Sequence, residues 1–300
     1  MESFNYIIAL LLTSLLFACS GSQSNFDATG SFEATEIIVS SEASGKILHI
    51  NLEEGQEIEA GHEVGLIDST QLYLQKMSLI ANAEGVRIQR PNIDTQTAAV
   101  QEQIQTLERE RERTQRLIDA NAANRKQLDD INSQIEVLQK QLSAQTSSLQ
   151  KSSAHISAQS SALEIQVAQL EDLIEKCKIF SPISGTVLNK YAEAGELAGM
   201  GTPLFKIAAL QQMNLRAYVT NDQLSRVKLN DRVTVLVDAG DGKMKEYSGK
   251  VIWISDKAEF TPKTIQTKNE RANLVYAIKI AVENDGYLKI GMYGEVKFNK

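Results

Sequence analysis

The chain has 300 residues and a formal net charge of −7, from 31 basic and 38 acidic side chains. Nucleic-acid binding depends on clustered Lys and Arg, so this balance argues against a general nucleic-acid binder. Two Cys and three widely separated His exclude a disulfide scaffold and disfavour a metalloenzyme. Aromatic residues make up only 6% of the chain, which favours an extended molecule over one large packed core.

The N-terminal residues 1–18 are predicted to be a signal peptide. Their apolar run, 6–18, is about 13 residues long and too short to cross a bilayer as a helix. It ends in Leu16-Phe17-Ala18-Cys19, which resembles a bacterial lipobox. We therefore expect Cys19 to be lipidated and anchored to a membrane, with residues 19–31 as a polar tether. The alternative is an ordinary signal peptide with an incidental Cys.

An internal repeat relates residues 41–67 to residues 181–207, without gaps, at an offset of 140. Three pairs of glycines coincide in it: Gly45 with Gly185, Gly55 with Gly195, and Gly61 with Gly201. Glycine supplies positive φ and close backbone approach, so both copies are predicted to form the same turns between short strands. Neither copy can bury a core alone. We predict one small β-sandwich assembled from two halves, 41–70 and 178–210.

This split sandwich is similar to a lipoyl or biotinyl carrier domain divided at its central hairpin. A carrier places its modified Lys at the tip of that hairpin. Here a long insertion separates the halves, and Lys178 lies on the approach to a strand rather than on a tight turn. A carrier protein is therefore retained only as a weak alternative.

The insertion, residues 71–177, is predicted to be an antiparallel coiled-coil hairpin with arms at about 71–118 and 124–176. The seven-residue spacing is carried by Leu72, Leu79, Val86, Ile93, Val100, Leu107 and Thr114, then by Leu128, Ile135, Leu142, Leu149, Ile156, Leu163 and Leu170. Gly85 and Pro91 are expected to break or kink the first arm. The Ser- and Ala-rich stretch 143–161 is expected to pack thinly. Cys177 continues this spacing at the end of the second arm, so it is expected to be a small buried hydrophobe in the seam. The alternative is a reactive thiol.

The turn between the arms ends at Asn124, a good N-cap for the second arm, and Gln127 completes a pattern like a capping box.

Beyond the second half-motif, residues 211–300 alternate between apolar and polar side chains in several runs. This alternation predicts a β-barrel of about six strands, completed by a strand at 32–40, with one short helix near 222–228.

The order of these parts resembles the HlyD-type periplasmic adaptors, also called membrane fusion proteins: lipidated N-terminus, half-motif, hairpin, second half-motif and barrel. The runs 258–280 and 286–296 are closest to short adaptors that serve ATP-binding-cassette (ABC) exporters. The fold class implied is an elongated, multidomain α+β protein. At the hairpin tip, Arg113 and Leu117 match the family pattern, whereas Asn124 stands where Ser is usual.

The resemblance implies a protein without enzymatic activity or cofactor, and the sequence has no hydrolase, zinc-protease, P-loop or dinucleotide motif. It implies a hexameric ring, lipid-anchored in the periplasm and held more readily by the inner than the outer membrane. The ring would join an inner-membrane ABC permease to an outer-membrane TolC-type channel at the tip. Candidate contacts with the permease lie in the barrel, at Lys257, Lys263, Lys268 and Arg271. The alternative for each of them is an ordinary exposed loop residue. The second alternative is a structural coiled-coil lipoprotein of the envelope.

Overall fold

The computed structural model describes residues 26–260 and 274–298. The predicted signal peptide, Cys19 and most of the tether lie outside these residues, as do Lys263, Lys268 and Arg271. The described part is an elongated α+β chain in which a β-barrel, a β-sandwich and a helical hairpin follow one another in space.

Twelve strands and four helices make up the described residues. The strands are β1 (Ala28–Ser40), β2 (Gly45–Ile50), β3 (Glu57–Ile58), β4 (Glu63–Ile67), β5 (Lys178–Phe180), β6 (Gly185–Lys190), β7 (Leu197–Ala198), β8 (Pro203–Thr220), β9 (Arg232–Asp238), β10 (Met244–Phe260), β11 (Leu274–Glu283) and β12 (Tyr293–Phe298). The helices are α1 (Thr70–Ile88), α2 (Ile93–Asp119), α3 (Arg125–Glu175) and α4 (Asn221–Leu224).

The barrel is a closed ring of six antiparallel strands in the order β1-β12-β9-β10-β11-β8, and the pairing of β8 with β1 closes it. Alternate residues point inward, so Met213, Leu215, Ala217 and Val219 of β8 are all fully buried. The predicted strand number and the use of an N-terminal strand agree with this ring. The short helix covers only Asn221–Leu224, less than the predicted 222–228, and Thr220 and Gln223 form a capping box at its start.

The predicted boundaries of the barrel need two corrections. Residues 28–31, expected to be tether, pair with residues 293–296 of β12. Ala28 is buried in the barrel core, a role that the surrounding small and polar residues conceal in the sequence. Residues 35–40, expected to be barrel, pair with residues 203–209 in the sandwich. Strands β1 and β8 therefore run through both domains, and their register shifts between Glu33 and Thr35.

The sandwich has the internal symmetry that the repeat predicts. The amide of Gly55 donates to the carbonyl of Val187, and the amide of Gly195 donates to the carbonyl of Ile47, both at 2.8 Å. Each bond becomes the other when its residue numbers are shifted by 140. The turn of each half thus bonds to the strand of the other half, and the two halves share one core. Neither half completes its hydrogen bonding without the other.

The glycine pairs of the repeat serve two purposes. Gly55, Gly61, Gly195 and Gly201 all have positive φ, between 78° and 96°. Gly45 and Gly185 instead allow close approach. A Cβ on Gly185 would lie 2.3 Å from the carbonyl oxygen of Ala208.

The insertion forms the predicted antiparallel hairpin, with α1 and α2 in line along the continuous 51-residue helix α3. Lys76 bonds to Glu171 near its base, and the Gln145 side chain bonds to the Gln96 carbonyl farther out. Every residue of the predicted heptad seam is partly or fully buried. The first arm breaks at residues 89–92, around Pro91, whereas α1 continues through Gly85 without interruption.

Small polar side chains fill the seam opposite the break and beside the second half of α1, as the Ser- and Ala-rich stretch predicts. Ser153 and Ser160 of α3 are buried, and the Arg90 guanidinium donates to the Ser153 hydroxyl at 2.7 Å. Cys177 is fully buried, but it follows the end of α3 and packs in the sandwich core rather than in the coiled-coil seam. Burial raises the pKa of its thiol.

The loop between β11 and β12 fastens the barrel to the strand that enters the sandwich. The Asn284 amide group donates to the Leu210 carbonyl at 2.9 Å and to the Leu288 carbonyl at 3.1 Å. Next to it, Asp285 accepts hydrogen bonds from Lys245 and from the Tyr247 hydroxyl. The bond from Lys245 is the main reason that the pKa of Asp285 falls to about 2.

We expect Gly185→Ala to destabilise the sandwich by about 1–3 kcal/mol, because backbone atoms must move to admit the methyl group. Gly85→Ala is the matched control. Its Cβ meets nothing within 4 Å, so it should stabilise α1 by about 0.5–1 kcal/mol. Scanning calorimetry of the purified protein checks both, and equal effects of the two changes would contradict the close approach at Gly185.

We expect the stability of the protein to fall as the pH drops from about 4 towards 2, in part because Asp285 becomes protonated. A carboxyl group with a lowered pKa contributes its stability above the unfolded-state value and loses it as the pH falls through the folded-state value. Asp285→Asn should therefore weaken the pH dependence of stability and lower the melting temperature at neutral pH. Thermal melts across this range test it against Asp129→Asn on α3, which should follow the wild-type curve.

The hairpin tip as the candidate functional site

The tip of the hairpin is a tight turn between α2 and α3. The amide of Asn121 donates to the Ile118 carbonyl at 2.9 Å, and the amide of Ala122 donates to the Leu117 carbonyl at 2.8 Å. Asn121 has φ of 58°, a left-handed conformation that Asn tolerates better than most residues. These bonds satisfy carbonyls at the end of α2 and turn the chain within a few residues.

Asn124 caps α3, as the sequence predicts. Its backbone is extended, and its side-chain oxygen accepts a hydrogen bond from the amide of Lys126 at 3.0 Å. The amide of Gln127 donates to the Asn124 carbonyl instead of to its side chain, so the bonding differs from the expected capping box. The cap fixes the direction in which the second arm leaves the turn.

Arg113 and Leu117 lie one helical turn apart on α2, close to the turn. Positions four residues apart share a helix face, so the two side chains are neighbours. The Arg113 side chain is 70% exposed and makes one long ion pair, 3.8 Å, with Glu110. Leu117 is 42% exposed. The tip therefore presents a cation in a long ion pair with an exposed carboxylate, and an apolar side chain beside it.

A shallow notch lies next to these residues on the hairpin surface. It is lined by Arg111, Glu112, Gln115, Arg116, Leu128 and Asn132. Both helices contribute to it, so its shape depends on the packing of α2 against α3. Sequence patterning did not predict this notch or the conformation of Asn121, although the turn preference of Asn was a usable signal for the latter.

The carrier alternative receives no support from the position of Lys178. Lys178 pairs with Leu66 in the β4–β5 ladder, and its ammonium group donates a hydrogen bond to the Glu175 carboxylate at 2.8 Å. This bond raises the pKa of the Lys178 amine. The long hairpin emerges where a carrier would have its exposed tip.

The described residues contain no helix long and apolar enough to cross a membrane. Over the same residues, no group of three or more His, Cys, Asp or Glu side chains is placed to hold a metal ion. Lys257, one of the predicted contact residues of the barrel, is exposed in β10. At the tip itself, the exposed side chains of Arg113 and Leu117 offer a charge and an apolar surface for contact with another molecule.

We expect Asn124→Ala to speed hydrogen exchange at the amide of Lys126 about fivefold or more, because losing an N-cap costs about 1 kcal/mol. Asn124→Ser should keep the exchange rate near that of the wild type, since Ser caps equally well. Exchange measured by NMR or mass spectrometry at the first turn of α3 checks this. An unchanged rate in Asn124→Ala would show that the cap does not hold the turn.

Comparison with known proteins identifies the scaffold. Residues 35–210 match the family described as "RND MFP, barrel-sandwich hybrid domain", and this region is more than half of the chain. The UPF0194 membrane protein YbhG of Salmonella arizonae is 32% identical over 127 residues. That alignment covers 42% of this chain and 38% of the relative, so the match spans well under half of the relative's length.

Solved structures show the same fold. MacA from Actinobacillus actinomycetemcomitans superimposes with a TM-score of 0.53 and 22% identity, over 90% of this chain and 76% of MacA. A MacA–MexA chimera that carries the Pseudomonas aeruginosa MexA α-hairpin domain gives 0.52 and 23%, over 90% and 78%. With the split sandwich, the inserted hairpin and the matched region together, the chain belongs to the membrane fusion protein family and carries its RND-type barrel-sandwich hybrid domain.

Proposed function

We propose that this protein is a periplasmic adaptor of a tripartite export complex. It joins an inner-membrane transporter, of the ABC type, to an outer-membrane channel of the TolC type. The observation that carries the proposal is the exposed Arg113–Leu117 pair at the end of the hairpin, far from the barrel. A second observation is length, since the 51 residues of α3 span about 77 Å at 1.5 Å per residue.

The strands at one end of the barrel support an orientation in which that end faces the membrane and the hairpin tip points away from it. β1 begins at Ala28, and Thr29 pairs with Tyr218 near the end of β8. Val275, at the start of β11, pairs with Thr220, so the outer β10–β11 hairpin leaves from the same end of the barrel. A lipid on Cys19, nine residues before Ala28, would reach about 30 Å when extended. The barrel end would then face the membrane and the transporter, with the tip pointing away.

A patch of exposed apolar side chains at the base of the hairpin supports self-association. Large apolar side chains are 40–62% exposed there on α1 and α3: Tyr73, Leu74, Met77, Ile80, Ile165 and Leu173. Such a patch on a long helical pair favours burial against another protein surface. We propose that neighbouring copies cover it in a hexameric ring, with hairpins side by side.

An envelope scaffold with the same coiled coil is the second candidate function. It would use the lipid and the hairpin but bind no transporter. The split sandwich and the closed barrel favour the adaptor, because a simple spacer needs neither. In-cell crosslinking followed by purification through a C-terminal tag separates the two. Recovery of a permease and a channel supports the adaptor, and recovery of neither from folded, lipidated protein supports the scaffold.

We expect Arg113→Asp and Leu117→Ser each to abolish export while leaving the melting temperature within about 2 °C, because both side chains are exposed. Arg87→Asp is the control for the charge change, since Arg87 pairs with Glu84 at the same spacing and is 66% exposed. Ile88→Ser, at a residue 75% exposed, is the control for the apolar change.

Export assays in cells that lack the wild-type gene, with the variants expressed at equal levels, give the readout. Normal export by both tip variants would contradict docking through the tip. Equal loss of export in the tip variants and the controls would point to a general defect of the hairpin instead.

A further inference from the structure

An ion pair crosses the outer wall of the barrel from β8 to β10. The Nη2 of Arg216 donates to both carboxylate oxygens of Glu259, at 3.0 and 3.1 Å. Its Nη1 lies 3.9 Å from Glu33 of β1. Because β11 lies between β8 and β10 in the sheet, this side chain spans a whole strand to reach its partner.

The strand register explains how Arg216 makes this crossing. Arg216 pairs with Lys279, and Glu259 pairs with Val275. Paired residues share a face and alternate residues return to it, so Ala277 lies beneath the path of the guanidinium group. Ala277 is fully buried. A larger residue at this position would obstruct the crossing.

Glu259 reaches Arg216 from beyond an irregularity in β10. Ile254 pairs with Ile278 and Ala258 with Tyr276, so residues 255–257 stand opposite one residue of β11. The Ser255 hydroxyl donates to the Lys257 carbonyl at 2.8 Å and stabilises this bulge. A bulge bends its strand and increases the local twist. Beyond the bulge, residues 258–260 pair again with residues 274–276 of β11, and residues 275–276 pair in turn with residues 219–220 of β8. The Arg216–Glu259 ion pair adds a direct side-chain link from β8 to the part of β10 beyond the bulge.

The ion pair is poorly arranged for stability alone. The Arg216 side chain is 31% exposed and that of Glu259 is 37% exposed. The buried Nε of Arg216 has no hydrogen-bond partner among the described residues. A buried donor without a partner carries a desolvation cost, and a partly buried pair gains little net stability. The bidentate geometry instead provides directional restraint.

We infer that Arg216 is a positioning residue that fixes the direction in which the outer β10–β11 hairpin, residues 258–260 and 274–276, leaves the barrel. The inference rests on the proposed function in one respect, namely that this end of the barrel meets the transporter. The restraint itself is a property of the isolated protein and is measured without a transporter.

Hydrogen exchange of the full chain tests the restraint. Arg216→Met keeps an aliphatic side chain over Ala277 and removes the guanidinium group. Glu259→Gln keeps the size of the side chain and removes its charge. We expect each change to speed exchange at residues 258–260 and 274–276 about tenfold, with β9 amides unchanged. The double variant should exchange no faster than either single variant, because both remove the same interaction.

Two matched controls lie on the same wall of the barrel. Glu33→Gln removes the distant contact at 3.9 Å, and we expect less than about twofold faster exchange. Lys279→Met removes a neighbouring cation that lies 5.7 Å from the Trp253 ring, with the same small effect expected. Exchange within twofold of the wild type in Arg216→Met, or multiplied effects in the double variant, would overturn the inference.

A distance measurement gives a second, independent test. Spin labels at Ala258→Cys and Tyr293→Cys, two exposed positions, report the direction of the hairpin relative to the barrel. We expect a narrow distance distribution that broadens in Arg216→Met. Unchanged width would overturn the inference whatever the export phenotype is. Loss of export without broadening would implicate Arg216 in the proposed function directly and not through positioning.

Discussion

The pairing of β1 with β8 is the constraint on which the rest of the structure depends. These two strands close the barrel through residues 29–33 and 214–218, and they continue into the sandwich through residues 35–40 and 203–209. The barrel and the sandwich thus share one hydrogen-bonded ladder and are not separate domains joined by a linker. The register shift between Glu33 and Thr35 marks where one domain passes into the other, and the Asn284 bonds hold that point from the barrel side. The hairpin is directed by the sandwich, so its orientation follows from this ladder.

Reciprocity within the sandwich makes a long insertion tolerable. The turn of each half is hydrogen-bonded to a strand of the other half, as the bonds of Gly55 and Gly195 show. The halves therefore associate through backbone hydrogen bonds and a common core. The insertion lies between β4 and β5, which still pair with each other, and its two ends contribute Leu72 and Cys177 to that core. Closing the loop costs little extra entropy as the insertion grows, because the cost rises only with the logarithm of length. The coiled coil then lowers this cost further by joining its own two ends at one site.

Helix continuity and side-chain packing differ along the hairpin. α3 is continuous, while the first arm breaks around Pro91, opposite the buried side chain of Ser153. The apolar seam is thinnest there, and a polar bond from Arg90 takes the place of packing. Towards the tip, Ile104 and Ile135 are buried in the seam, and Thr114 is buried closest to the turn. The docking residues proposed at the tip, Arg113 and Leu117, lie on α2 between the buried Ile104 and the turn that Asn124 caps.

Local signals in the sequence determined the hairpin, the repeated turns, the cap and the strand content. Heptad spacing, glycines in register and a capping side chain act over a few residues or repeat regularly, so each can be seen without the fold. Only the tertiary structure decided where β1 begins, which strands the two domains share, and that Cys177 belongs to the sandwich core. It also decided that Arg216 meets Glu259, since two residues 43 positions apart become partners only when an intervening strand and a bulge place them on one face. Such pairings depend on register between distant strands, and no local pattern encodes that register.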